Sequence, residues 1–288
     1  MANPEVRPFF DPRTRSFSHV VADPATRAAA IIDPVLDYDP ESGRTAHASA
    51  DALLAHAREA QLKVEWIIET HVHADHLSAA QYLREQLGAR VGIGARVVEV
   101  QAHFGRLFDA GSDFRSDGSQ FDHLFRDGET YRIGELTGRA IATPGHTPTC
   151  MSHLIGDALF VGDTLFNADY GTARCDFPGG DAHALYRSIQ TLYALPDTTR
   201  VFFCHDYPTA ARTSEVASST IGEEKRGNVH LRADTSEDAF VQLRTTRDAT
   251  LSLPKLILPA VQVNMRAGVL PSAAANGIRY LKIPLDTF

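Results

Sequence analysis

Cysteine is scarce in this 288-residue chain, occurring only as Cys150, Cys175 and Cys204. Their odd number and wide spacing exclude a dense disulfide framework and the closely paired thiolates of a zinc cluster. Each reads as a small buried hydrophobe in a reducing compartment; Cys204 also falls one residue before a histidine singled out below. Long apolar runs are missing too, so no segment reads as a membrane span. Residues 1–10, with Pro4, Glu5, Arg7 and Pro8, lack the basic-then-apolar profile of a signal peptide. A cytoplasmic protein is the expectation. No run of Lys or Arg is long enough to track a phosphate backbone, and the formal charge is −8 with a pI near 5.9. Nucleic acid is therefore a poor partner. Repeats and low-complexity segments are also absent.

What remains is ordinary globular composition, 43% hydrophobic and 22% charged, enough to bury a sizeable core. One α/β domain over 1–288 is expected. Branched and aromatic runs bounded by polar or turn residues predict strands over 17–21, 28–35 and 64–69. Helical spacing of apolar positions predicts helices over 47–62, over 77–87 ending at Gly88, and over 96–108. The polar, Gly-, Ser- and Asp-rich stretch 109–122 reads as an exposed loop near a site. Strands over 131–133, 136–143, 151–155 and 158–161 form a β-meander. A helix over 182–195, a strand over 200–204 and a helix over 235–251 capped by Thr235 or Ser236 follow. The tail 258–288, with Pro259, Pro271 and Pro284, reads as a mostly extended C-terminal wrap beyond that helix. Strands and helices alternate without regular βαβ units, which suits two mixed sheets packed together with helices outside.

The segment Thr70-His71-Val72-His73-Ala74-Asp75-His76 places four ligand-type side chains between an apolar strand and a helix. Imidazole and carboxylate bind borderline divalent metals, and alternate positions on an extended loop would let His71 and His73 converge on one ion. Asp75 and His76 would serve a neighbouring ion. A helix-capping loop would explain Asp75 but leave the three histidines unexplained. Further candidates stand at predicted strand ends: His146 in Pro144-Gly145-His146-Thr147, Asp163 in Val161-Gly162-Asp163-Thr164, and His205 in Phe203-Cys204-His205-Asp206. Singly each has a bland reading as a turn or buried polar residue. After a His-rich loop, strand ends gathered at one edge of a sandwich make them a metal-ligand set.

This pattern resembles the metallo-β-lactamase superfamily, whose His-X-His-X-Asp-His loop matches residues 71–76 and whose later ligands match His146, Asp163 and His205. The resemblance covers residues 17 to about 228 and implies a four-layer αββα sandwich. Within the superfamily the chain is most similar to a bacterial branch of the persulfide dioxygenases. The supporting stretches are Glu69-Thr70-His71-Val72-His73-Ala74-Asp75-His76-Leu77-Ser78, Arg174-Cys175-Asp176-Phe177, His205-Asp206-Tyr207 and Gly222-Glu223-Glu224-Lys225. That resemblance implies one Fe(II) per chain held by His71, His146 and Asp163, and oxidation of glutathione persulfide by O2 and water to sulfite and glutathione. Two imidazoles and one carboxylate leave iron open positions for a soft sulfur and dioxygen. It also implies that Arg174 and Lys225 attract glutathione carboxylates, that Tyr207 lines the thiol end of the pocket, and that Asp176 orients Arg174 or a ligand histidine. His73, Asp75, His76 and His205 would then orient ligands or relay protons. The family's tendency implies a homodimer. Gly171-Thr172-Ala173 departs from the family's Gly-Cys-Gly before the arginine. Two other readings stand beside this one. In a thioester hydrolase resembling glyoxalase II, all seven ligands would hold two metals, zinc among them. A non-catalytic binder would hand persulfide sulfur or metal to a partner.

Overall fold

The computed structural model describes residues 3–287. In chain order, β1 (Glu5–Asp11), β2 (Ser16–Ala22), β3 (Ala28–Ile32), β4 (Val35–Asp39) and β5 (Arg44–Ala46) lead into α1 (Ala48–Glu59). They are followed by β6 (Lys63–Ile68), β7 (Leu77–Ser78), α2 (Ala80–Leu87), β8 (Arg90–Gly94), α3 (Val97–Leu107) and β9 (His123–Phe125). A second run comprises β10 (Thr130–Ile133), β11 (Leu136–Ala142), β12 (Met151–Ile155), β13 (Ala158–Phe160), α4 (Ala182–Tyr193), β14 (Arg200–Phe202) and β15 (Ser218–Thr220). It closes with α5 (Ile221–Gly227), α6 (Glu237–Asp248) and α7 (Ile257–Asn264).

Two mixed sheets result, ordered β1-β2-β3-β6-β8-β9 and β10-β11-β12-β13-β14-β15, with a small β5-β4-β7 sheet beside them. The alternation of strand side chains makes the layers. From β3, Ala28, Ala30 and Ile32 enter the core between the sheets with Trp66, Ile68, Phe125, Phe160 and Phe202. Ala29 and Ile31 point the other way, to a core shared with α1, α2, α3 and α7 through Leu53, Leu83, Phe104 and Val261. Burial on both faces is why β3 reads as a continuous apolar run. On the far side of the second sheet, Leu185, Ile189 and Leu192 of α4 and Phe240 of α6 cover Leu159, Val201 and Phe203. The order is helix, sheet, sheet, helix, as expected. Each such apolar side chain, fully buried, contributes about 1.5–3 kcal/mol.

Local signals set the helix ends. Asp181 caps α4 through the amides of His183 and Ala184, and Ser236 caps α6 through that of Ala239. Helix α2 stops at Gly88 in the left-handed conformation. No helix among the described residues is long and apolar enough to cross a membrane.

Four expectations change. Leu77 and Ser78 pair with Leu36 and Val35 as a short strand, so α2 starts only at Ala80. The tail is not wholly extended, because 257–264 carries apolar residues that α7 buries against α3 and β7. Strand β8 escapes prediction because Gly92 and Gly94 weaken its pattern; Gly92 is required, since an added Cβ would stand 2.5 Å from the Phe125 ring. Finally, the 109–122 loop packs on the C-terminal segment rather than beside the metal-ligand cluster: Asp113 accepts from the Ser272 hydroxyl and Ala110 from Arg266.

Candidate metal centre

The four apolar strands β6, β11, β13 and β14 end at the same edge of the sandwich, and each delivers ligand-type side chains just beyond its last residue. His71 lies in the loop after β6, His146 after β11, Asp163 after β13 and His205 after β14. The turn before His146 depends on Gly145, at φ 144°, where a Cβ would stand 2.4 Å from the backbone of Leu185. That close approach pins the turn to α4.

One ligand atom each from His71, His146 and Asp163 lie mutually within 4.8 Å. Asp163 Oδ2 is 3.9 Å from His71 Nε2 and 3.6 Å from His146 Nε2. His146 donates Nδ1–H to the Arg174 carbonyl at 2.8 Å, which leaves its Nε2 lone pair directed at the cluster. His71 Nδ1 lies 3.1 Å from Thr70 Oγ1, and its Nε2 is buried without a partner. The pairing of His71 with His73 expected from the loop does not form as one ligand pair. The rings lie 4.0 Å apart, but His73 turns Nε2 to Asp33 Oδ1 at 3.0 Å. His73 groups instead with His76, Cys204 and His205. Asp75 meets His205 Nε2 at 2.9 Å.

Burial holds the His71 and His73 imidazoles well below the usual histidine range, with neighbouring histidines adding to the effect, so both are neutral and able to ligate. Burial also raises the Asp163 carboxyl. His205 behaves differently: burial opposes its charge, but Asp75 and Asp163 outweigh that and push it up to about 10. Burial likewise raises Asp75, yet His205 holds it below the carboxylate range. Buried, unpartnered atoms on His71, His73, His76 and Asp163 crowd this one edge. An unsatisfied buried polar atom costs about 1–3 kcal/mol, so the donor set fits divalent metal, which would satisfy several at once.

The cluster opens on a cavity of about 790 Å³ lined by Asp75, His146, Asp163, Phe166, Tyr170, Phe177 and Tyr207. Tyr207 stacks at 15° to His205. Of the other predicted substrate contacts, Arg174 lines the cavity but is already engaged. It meets both Asp176 oxygens, at 2.5 and 2.6 Å, and donates to the carbonyls of Ser252 and Leu251. Arg174 and Asp176 thus form a pair, and Arg174 ties the 251–252 backbone to it. Lys225 is not in the cavity lining; on α5 it pairs with Asp197 at 2.6 Å. The local sequence gives no sign of that distant acid. Cations that sequence reading missed take its place. Arg13, Arg247 and Lys255 line the cavity, are exposed, and make no ion pair among the described residues.

Other missed residues brace the site. Asp33, buried after β3, accepts from the Thr70 amide and hydroxyl as well as facing His73. Asn264 at the end of α7 donates to the His73 and His76 carbonyls at 2.9 and 2.7 Å and accepts from the Ser78 amide. Arg212 clamps Asp206, Asp169 and the Tyr207 carbonyl. Thr172, the departure noted in the sequence, is buried and accepts through its carbonyl from the buried Arg244, whose partner is Asp248. Arg244 in turn forms part of the cavity wall. The three cysteines are buried and unpaired.

Comparison with known proteins agrees with this architecture. Residues 12–205 match the metallo-beta-lactamase superfamily. The chain is 54% identical to a probable metallo-hydrolase of Burkholderia pseudomallei, covering 98% of this chain and 99% of that one. It is 48% identical to glyoxylase B2 of Dictyostelium discoideum, over 93% and 92% of the two chains. Identity to the mitochondrial persulfide dioxygenase of Homo sapiens is 30%, over 92% and 89%. It spans only 65% of the length of the beta-lactamase hydrolase-like proteins of Xylella fastidiosa and Agrobacterium fabrum. The crystal structure of ETHE1 from Myxococcus xanthus superposes with a TM-score of 0.72 at 33% identity, covering 92% of this chain and all of that one. With the layered fold, the strand-end ligands and a matching stretch that fills most of the chain, the protein belongs to the metallo-beta-lactamase superfamily.

Proposed function

We propose that this protein is a glutathione-dependent persulfide dioxygenase, converting glutathione persulfide, O2 and water to glutathione and sulfite at a single Fe(II) bound by His71, His146 and Asp163. The observation that carries the reading is the ligand set itself. Two imidazoles and one carboxylate lie mutually within 4.8 Å, and His146 and Asp163 face a cavity. Such a set on one side of a metal leaves positions for two further ligands and is the donor pattern of non-haem iron oxygenases. Iron bound there would supply the redox chemistry that passes electrons from the outer persulfide sulfur to dioxygen.

The chain's own residues then bind and orient. Arg13, Arg247 and Lys255 at the mouth present free positive charge to the two carboxylates of a glutathione moiety. Phe166, Phe177 and Tyr207 wall the inner end, where an apolar lining favours a sulfur over bulk water. Phe177 meets the His146 ring edge-on at 4.9 Å, and the Arg174 carbonyl holds the His146 Nδ1 proton, so the imidazole stays in one tautomer. His73, His76 and His205 stand behind the ligands, with Asp33 fixing His73, while Asp75 pairs with His205 from the cavity wall. A single-domain chain acting in the cytoplasm, as a homodimer, completes the proposal.

The test is oxygen consumption by anaerobically iron-loaded protein given glutathione persulfide, with sulfite measured in the same samples. Uptake that tracks iron content and yields sulfite is expected. Hydrolysis of glutathione thioesters without oxygen uptake would overturn the proposal in favour of the hydrolase reading, which the names of the Burkholderia and Dictyostelium relatives support. No turnover of either substrate would leave the binder.

A further inference from the structure

Two tyrosines on separate loops make one stretch of the cavity wall. Tyr170 sits on a tight turn between Leu165 and Thr172, which pair with each other, and Tyr207 opens the irregular loop that runs from the end of β14 to β15. Their rings lie 4.7 Å apart at 31°, and Phe166 meets Tyr207 edge-on at 6.0 Å. All three line the cavity. What joins the two loops is Arg212, which does not line it. The guanidinium grips Asp169, the residue before Tyr170, through Nε and Nη2 at 2.9 Å each. It grips Asp206, the residue before Tyr207, through Nη1 at 2.6 Å and Nη2 at 2.8 Å. Nη2 also donates to the Tyr207 carbonyl at 3.2 Å. Neither carboxylate makes another ion pair among the described residues, and Asp206 is fully buried, so its charge depends on this one partner.

We propose that Arg212 is a positioning residue for the reaction: by bridging Asp169 and Asp206 it fixes Tyr170 and Tyr207 against each other, and so places the aromatic wall that receives the sulfur end of the substrate. A planar guanidinium suits this task, because it presents a rigid fork to two carboxylates at once, which the point charge of a lysine ammonium cannot do. Mutual backbone hydrogen bonds between Thr209 and Arg212 close the turn that carries the arginine, and the Thr209 hydroxyl adds a further bond to Asp169 at 3.1 Å. Without the bridge, ring stacking alone would tether two half-buried loops. This role rests on the proposed function only in that the substrate's sulfur lies beside Tyr207, a placement that a persulfide and a thioester would share.

Steady-state kinetics of the iron-loaded, full-length protein and amide hydrogen exchange supply the test together. Arg212→Gln is expected to raise KM for glutathione persulfide, by up to the roughly 100-fold that a small misplacement can cost, and to speed exchange in 166–171 and 206–216 alike. Arg212→Lys should restore the melting temperature but not KM, a split that a merely structural role would not produce. In a Tyr170→Ala background, Arg212→Gln should add little to KM, because the wall it positions is already lost. Should Arg212→Gln fail to fold, Asp169→Asn weakens one arm of the bridge at a half-buried acid and should move KM and exchange in the same directions. An unchanged KM in Arg212→Gln or its substitute, KM effects that simply add in the double variant, or faster exchange in 206–216 alone would overturn the proposal. If the wild type hydrolyses glutathione thioesters and consumes no oxygen, the dioxygenase reading falls by itself; KM is then compared on the thioester, and the exchange measurement decides the bridge without turnover.

Discussion

At the scale of single residues, the site is held by partners that ligate nothing. Asn264 is the clearest case, since its amide satisfies two carbonyls and one amide of the ligand loop. Asn264→Ala leaves those buried groups unpaired, at about 1–3 kcal/mol each. We expect a fall in melting temperature together with a roughly 10- to 100-fold loss of metal affinity, read by calorimetry and by competition with a chelator. Unchanged affinity would confine Asn264 to stability. The free cations at the cavity mouth make a separate prediction. Arg247→Ala or Lys255→Ala should raise KM for glutathione persulfide about tenfold with little change in kcat, the pattern of a lost contact that binds ground and transition states equally. Lys225→Ala should leave KM unchanged, because Asp197 already holds that ammonium. The sequence resemblance named Arg174 and Lys225 for this task. The partners that decide otherwise, Asp176 with the Leu251 and Ser252 carbonyls for one and Asp197 for the other, become visible only once the chain is folded.

At the scale of elements, α5 carries an ionisable group under strain of burial. Glu224 is fully buried between the hydroxyl of Ser219 and the amide of Asn228, and burial pushes its carboxyl up to about 7. The folded state thus prefers the neutral acid. In an acid with a raised folded pKa, the linkage is a cost: absent below the ordinary carboxylate range, it builds as pH rises and is complete above about 7. Glu224→Gln removes the charge and keeps a donor and an acceptor. We expect the variant to exceed the parent in stability by up to about 3 kcal/mol at pH 8 and to converge with it below pH 4, as followed by urea unfolding. Equal stability at both pH values would show that Glu224 is not held neutral. Element boundaries show the same dependence on context. The sequence pattern carries the helix to Leu77, but pairing of β7 with β4 takes Leu77 and Ser78 into a strand.

For the whole molecule, the interface between the sheets contains His19 and His153 among aromatic rings. Both are fully buried, and burial lowers each to about 4. Above the ordinary histidine value near 6.5, both states of the protein are neutral there and the full stability is present. Between that value and about 4 the unfolded chain binds protons that the folded chain refuses, so stability falls with acidification and levels off below. Unfolding in that window should take up about two protons from this pair, with further uptake from the neutral histidines of the metal-free centre. Calorimetry in buffers of different ionisation enthalpy measures the number. Uptake near zero between pH 5 and 6 would mean that the pair is solvated, and that the two sheets pack less tightly than their geometry indicates.

Much of this was already set by the order of the amino acids. Apolar alternation requires two sheets with helices outside, because each strand must bury both faces or one. Ligand-type residues cluster just past strand ends, and that placement is legible in Thr70–His76, His146, Asp163 and His205 without coordinates. Tertiary structure alone decided how those ligands divide. The loop sequence spaces His71 and His73 for a common ion, whereas Asp33, forty residues upstream of His73, turns the second ring away. Asn264 reaches that loop from 191 residues downstream. Hydrophobic periodicity is a local property, and the chain displays it one element at a time. The hydrogen bonds that choose a tautomer, a ring orientation or a free cation join residues far apart in sequence, and only the packed fold brings them within bonding distance.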